Sequence, residues 1–182
     1  MYLISAYFDE NTNKILKHLQ QRIADKTGND FMIRNNVMPH LTISAIEARN
    51  IDVLIPEFEK VCRGKLQPLE EKSVANNTIN IVSLGQLFPS VIYAAPVLNE
   101  YMMNLSISIY NEFATIPETN ISKFYQPYSW MPHITLGKCL DKEQMRQAFA
   151  VLQDLFMPID GRITKIGLST VNPYREVMSV AL

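Results

Sequence analysis

Paired cysteines are missing from this chain. Cys62 and Cys139 stand far apart with no second ligand at metal-binding spacing, so the sequence suggests neither a disulfide framework nor a thiolate zinc site. Both read as small buried hydrophobes. No apolar run approaches the roughly 20 residues that a bilayer crossing requires. The opening residues, Met1 to Glu10, lack a basic start and turn acidic too early for a secretory leader. A soluble, cytoplasmic protein with no membrane partner is expected. An excess of one charge is missing too: 17 basic residues face 18 acidic ones, for a net charge of −1. That excludes the broad basic field needed to grip a long duplex, while a small anion or one end of a nucleic acid stays compatible. Disorder is excluded in turn, because 47% of the 182 residues are hydrophobic, enough for one domain or two small lobes sharing a core.

Histidine is scarce, with three in the chain. His18 falls on a predicted helix beside Leu19, has no partner motif, and reads as a surface residue. The other two belong to a phrase that occurs twice. Met38-Pro39-His40-Leu41-Thr42-Ile43 returns as Met131-Pro132-His133-Ile134-Thr135-Leu136, with Leu and Ile exchanged and the volume kept. Each phrase is apolar enough for a strand, whose side chains alternate between faces. His40 and Thr42 then share one face, as do His133 and Thr135.

The elements around the phrases follow a common order. Residues 2–9 read as a strand; Asp9 to Asn13 can cap a helix carrying Ile15, Leu16, Leu19 and Ile23 and ending at Gly28. Asn50 or Asp52 can cap a second helix ending at Gly64, with Pro56 tolerable only in its first turn. Strand-like runs follow at about 65–72 and 78–84. The order then restarts with a strand at 90–95 and a long amphipathic helix from Leu98 to Phe113. After the second phrase, Asp141 and Gln144 form a capping box. Strands are expected at about 162–170 and from Tyr174 to Ala181, with a turn at Asn172-Pro173. The expected fold class is α+β: a bilobal internal duplication of two antiparallel-sheet lobes with outer helices around a central cleft. The chain 1–182 is one domain whose sequence repeats span about 1–85 and 86–182, with exchange of strands between lobes left open.

Two imidazoles across a cleft suit proton transfer at neutral pH, because one ring can accept while the other donates. Phosphodiester cleavage needs such a base and acid. Thr42 and Thr135, two residues along on the same face, suit hydrogen bonding to the non-bridging phosphate oxygens. A zinc site would need three or four ligands, and neither phrase holds a second one. No metal and no cofactor are therefore expected. A duplicated motif with only a structural role is the competing reading.

The doubled phrases His40-Leu41-Thr42-Ile43 and His133-Ile134-Thr135-Leu136 resemble those of the two-histidine phosphoesterase superfamily, in particular its bacterial 2′–5′ RNA ligase-like branch. Val91 to Phe113 and the ending Tyr174 to Leu182 share the resemblance. It implies a water-filled cleft, His40 and His133 as the acid–base pair, and Thr42 and Thr135 as phosphate ligands. It implies hydrolysis of 2′,3′-cyclic phosphates on RNA ends or nucleotides, or action on 2′–5′ linkages, by a monomer. The alternative is a non-catalytic module that binds a nucleotide or RNA end in the same cleft. One departure is Gly137-Lys138, where an arginine is frequent among relatives.

Five further residues are candidate substrate contacts. Ser44 would extend the phosphate face if its strand persists. Tyr125, Tyr128 and Trp130 precede the second phrase and either stack on a base or anchor their loop to the core. Arg175 supplies positive charge near the phosphate or lies on a solvated edge.

Overall fold

The computed structural model describes residues 1–64, 77–171 and 174–182. The run expected at about 65–72 and the expected turn at Asn172-Pro173 lie outside them. Helix starts follow the capping residues. Asp9 accepts from the Thr12 amide at 2.9 Å and opens α1 (Glu10–Thr27), which Gly28 closes in the left-handed conformation at φ 71°. Asn50 caps a 3₁₀ turn, Ile51–Val53, rather than the helix itself. The next full helix (Ile55–Gly64) holds Pro56 in its first turn, where its missing N–H has no helical partner to lose. Between these, one short turn of helix, α2 (Phe31–Arg34), has too few residues to show a periodicity; the helix at Ile55–Gly64 is thus α3. Asn99 caps α4 (Glu100–Phe113), and both bonds of the Asp141/Gln144 capping box open α5 (Lys142–Leu155).

Eight strands form one antiparallel system among the described residues: β1 (Tyr2–Phe8), β2 (Leu41–Ala48), β3 (Thr78–Leu87), β4 (Val91–Pro96), β5 (Thr119–Ile121), β6 (Ile134–Gly137), β7 (Ile159–Val171) and β8 (Tyr174–Ala181). The α+β class with antiparallel pairing is thus as the sequence implies. The pairing runs in a closed circuit. β1 pairs with β2, β2 with β6, β6 with β4, β4 with β3, β3 with β7, and β7 returns to β1. The 13-residue β7 pairs with three strands: its stretch from Ile159 to Arg162 with β3, that from Ile163 to Thr170 with β1, and that from Lys165 to Val171 with β8. Strands from the two sequence repeats are therefore interleaved, with β3 paired to β4 and the β7–β8 hairpin paired to β1.

Opposite β7, the circuit closes through one residue pair, Leu41 with Ile134. These are the residues that follow His40 and His133. The two phrases become strand only at that point, one residue after each histidine, and not along their whole length as the alternation alone predicts. Helices α1 and α5 pack together, α1 also meets β6, and α4 lies on β2. The apolar faces of all three layers meet in one continuous core in which Leu16, Ile43, Phe58, Phe113, Ile134 and Leu136 are almost fully buried.

Candidate active site

The Met-Pro-His sequence builds the same small device twice. In each copy the histidine Nδ1 lies against the carbonyl oxygen of the methionine two residues before it, at 2.7 Å for His40 and Met38 and 2.9 Å for His133 and Met131. Proline between them has its φ fixed by its ring, so the methionine carbonyl is held in place. A carbonyl only accepts, so Nδ1 carries the proton and donates it in both rings. The neutral form of each ring therefore keeps its lone pair on Nε2, the nitrogen left to accept a proton.

The Leu41–Ile134 pair sets the relation between the copies. Continuing this antiparallel register by one residue places His40 across from Thr135 and His133 across from Thr42. The histidines are then diagonal neighbours, with backbones on the order of 7–8 Å apart. Consistent with that closeness, His133 disfavours the charge on His40, after the larger effect of burial, and the two together outweigh the Met38 bond and hold the His40 pKa below its ordinary value.

Both threonine carbonyls are tied down from outside the sheet. Trp130 Nε1 donates to the Thr42 oxygen at 3.0 Å, and Gln20 Nε2, from α1, donates to the Thr135 oxygen at 3.2 Å. These bonds fix the backbone that carries each hydroxyl. Tyrosine rings flank both histidines. Tyr93 on β4 meets His133 edge-on at 5.5 Å between centroids, and Tyr7 on β1 lies 6.2 Å from His40. Tyr174 also stacks on His40 at 6.5 Å and 21°, and its hydroxyl bonds that of Tyr7 at 2.6 Å. Burial and the Tyr174 bond push the Tyr7 phenol pKa far up, so it stays neutral.

Each flanking tyrosine lies over a glycine of the neighbouring strand. A Cβ on Gly85 would come within 2.3 Å of the Tyr93 ring, and one on Gly167 within 2.9 Å of the Tyr7 ring. Gly85→Ala should therefore displace Tyr93 from beside His133 and lower stability by about 1–3 kcal/mol. Thermal melts check this; an unchanged melting temperature would show that the ring moves aside at no cost.

The other sequence candidates are placed as follows. Ser44 is 2% exposed, and its buried hydroxyl has no hydrogen-bond partner, so it faces the interior and not an open phosphate site. The reason is local: the β1–β2 register shifts between Ile4 and Ser5, beside Ser44 and Thr42, and breaks the simple alternation. Trp130 is 6% exposed and bonded to the β2 backbone, which makes it an anchor and not a stacking platform. Tyr125 packs against the core, and burial raises its phenol pKa. Tyr128, at φ 66° and 83% exposed, borders a separate cavity with Tyr110 and Gln126 rather than the one that His40 lines. Arg175 follows Tyr174 on β8; strand alternation turns it to the face opposite the one that meets His40. The functional neighbours missed by the sequence reading are thus Tyr7, Tyr93, Tyr174 and Gln20. No signal marks them, since a tyrosine in an apolar strand reads as core.

Among the described residues, no three His, Cys, Asp or Glu side chains converge as a metal-binding group. A repeated His-x-Thr strand, with the two copies joined in antiparallel register, is the arrangement of a two-histidine phosphoesterase. Residues 28–172 match the family model of the 2′–5′ RNA ligase superfamily, and the chain belongs to that family. Among solved structures, Usb1 of Kluyveromyces marxianus with uridine monophosphate is similar at 12% identity and a TM-score of 0.44, over 100% of this chain and 96% of that one. A second Usb1 structure from the same organism is similar at 9% identity and a TM-score of 0.44, over 100% and 97%. No curated protein matches the chain by sequence.

Proposed function

We propose that this protein is a phosphodiesterase that opens 2′,3′-cyclic phosphates on RNA ends or nucleotides, or acts on 2′–5′ linkages, by acid–base chemistry between His40 and His133. The observation that carries the reading is the Leu41–Ile134 pair, one residue past each histidine, together with the same Nδ1 bond to a methionine carbonyl in both rings. Membership of the 2′–5′ RNA ligase superfamily supports the same class of chemistry.

In this mechanism His40 takes the role of base. Its lowered pKa keeps the ring neutral at pH 7, with Nε2 free to accept the proton of the attacking oxygen. His133 gives its Nε2 proton to the departing ribose oxygen. The hydroxyls of Thr42 and Thr135 donate to the non-bridging oxygens, where charge builds up as the phosphorus becomes five-coordinate. After turnover one proton has moved from His40 to His133 through solvent, and the pair is reset.

The direct test is hydrolysis of a panel of 2′,3′-cyclic nucleotides in the presence of a chelator, with product analysis separating 2′- from 3′-phosphates. Turnover is expected, and no turnover of any member would reject the enzyme reading. Because the neutral form of His40 is favoured, the acidic limb of the kcat/KM profile should lie below the ordinary imidazole value of about 6.5. The same shift affects stability. The unfolded chain binds the His40 proton more readily, so this contribution is present above about 6.5 and lost as pH falls through the folded-state value. Thr42→Val and Thr135→Val, which keep the shape and remove the hydroxyl, should each lower kcat by about 10² with little change in fold. Wild-type rates in both variants would show that phosphate is held by other groups.

A further inference from the structure

The two faces of β1 meet different surroundings. Ile4, Ala6 and Phe8 belong to the core, while the alternate residues turn to the site: Leu3 borders the cavity that His40 and Thr135 line, and Tyr7 meets His40. Ser5 lies between Leu3 and Tyr7 on that second face. It is 1% exposed, and its buried hydroxyl has no hydrogen-bond partner among the described residues. A hydroxyl in that condition is a cost to the fold, and an alanine would avoid it.

Strand pairing narrows what the hydroxyl is for. On one side Ser5 stands opposite Gly167 of β7, which has no side chain to offer. On the other it stands opposite Thr42 of β2. Directly opposite residues share a face, with Cβ atoms on the order of 5 Å apart. Two hydroxyls at that spacing reach the roughly 2.8 Å of an O–H···O bond by rotation about χ1. The second phrase lacks this arrangement, since Thr135 stands opposite Tyr93.

We infer that Ser5 is a positioning residue, whose hydroxyl donates to Thr42 Oγ1 when Thr42 gives its own proton to a non-bridging phosphate oxygen. The inference rests on the phosphodiesterase reading for the phosphate and goes further in naming what supports one of its ligands. A threonine hydroxyl has one proton and two lone pairs. Once the proton points at phosphate, Oγ1 can only accept, and Ser5 is the hydroxyl directly across from it. The two bonds strengthen each other, because accepting from Ser5 makes the Thr42 proton a better donor. The gain grows as charge builds up on the phosphate oxygen, so it belongs to the transition state more than to bound substrate. Ser5 itself touches no substrate.

The test is a pair of double-variant cycles on the full chain. They are read in kinetics on a 2′,3′-cyclic nucleotide and in affinity for the uridine–vanadate complex, a five-coordinate mimic of the transition state. Ser5→Ala should lower kcat by about three- to tenfold, with KM within about twofold. It should weaken the vanadate complex by a similar factor and leave the melting temperature equal or higher. The loss should vanish in the Thr42→Val background, where the acceptor is gone, and persist in Thr135→Val. Ser169→Ala is the control. Its hydroxyl is also buried without a partner among the described residues, but Ser169 stands between Leu3 and Glu176, with no threonine across from it. Removing it should leave kcat unchanged.

A wild-type rate in Ser5→Ala, an undiminished loss in Thr42→Val, or an equal loss in Ser169→Ala would each overturn the role. So would a lower melting temperature in Ser5→Ala, which marks a serine that serves the fold. The two readings fail separately. Turnover without coupling between Ser5 and Thr42 keeps the phosphodiesterase and removes the positioning role. Coupling in vanadate affinity without turnover keeps the role and removes the enzyme.

Discussion

His133→Ala and His40→Ala should each reduce kcat for a 2′,3′-cyclic nucleotide by about 10²–10⁴, and the double variant should fall little further. Non-additivity is the informative part. Base and acid act in one transition state, so removing either leaves the other with no step to complete. Both rings are half-buried just ahead of their strands and Nδ1 bonds only a local carbonyl, so neither substitution removes a long-range hydrogen bond. Folding should therefore be kept, and circular dichroism with a thermal melt checks it. Single variants that multiply in the double mutant would mean that the rings act in different steps. Full activity in either one would remove that ring from the chemistry.

Trp130→Ala should be the more damaging change for the fold. A tryptophan 6% exposed and packed into the core leaves a void that its surroundings fill only in part, at about 3–5 kcal/mol. Trp130→Phe isolates the hydrogen bond from the packing. It removes the donor to the Thr42 carbonyl, at about 1 kcal/mol, and frees the backbone beside the Leu41–Ile134 pair. The expected kinetic effect is a lower kcat with KM within about twofold, since Trp130 holds the Thr42 strand and does not touch substrate. A large rise in KM with an unchanged melting temperature would restore Trp130 as a stacking contact.

The contrast between these two residues shows how much of the site was readable before the fold. The repeated phrase that carries His40, Thr42, His133 and Thr135 could be read directly, and its two copies meet at Leu41 and Ile134. Capping was readable in part: Asp9 and Asp141 each accept the backbone bond that their position suggests, Asn50 caps a 3₁₀ turn in place of the helix, and the Asn99 cap was not read. Trp130 could not be read, because its role depends on a carbonyl 88 residues away in sequence. Tyr7 and Tyr174 are 167 residues apart and meet only because β7 and β8 return beside β1. Arg175 failed by one position. Charge suggested the arginine, whereas strand phase, which depends on tertiary pairing, presents Tyr174 to His40. Ser44 failed through a register shift that nothing in its own segment announces.

The shared strand β7 also governs how the molecule is assembled. A ribosome releasing the first repeat has made β1 and β2, yet β1 lacks the neighbour that will cover its second edge until Ile163 to Thr170 emerge. β3 likewise waits for β4 on one side and for Ile159 to Arg162 on the other. Pairings this distant along the chain form late, after a large loss of chain entropy. Neither repeat therefore completes its pairing before β7 has been made, and the circuit that carries the two His-x-Thr strands closes only then.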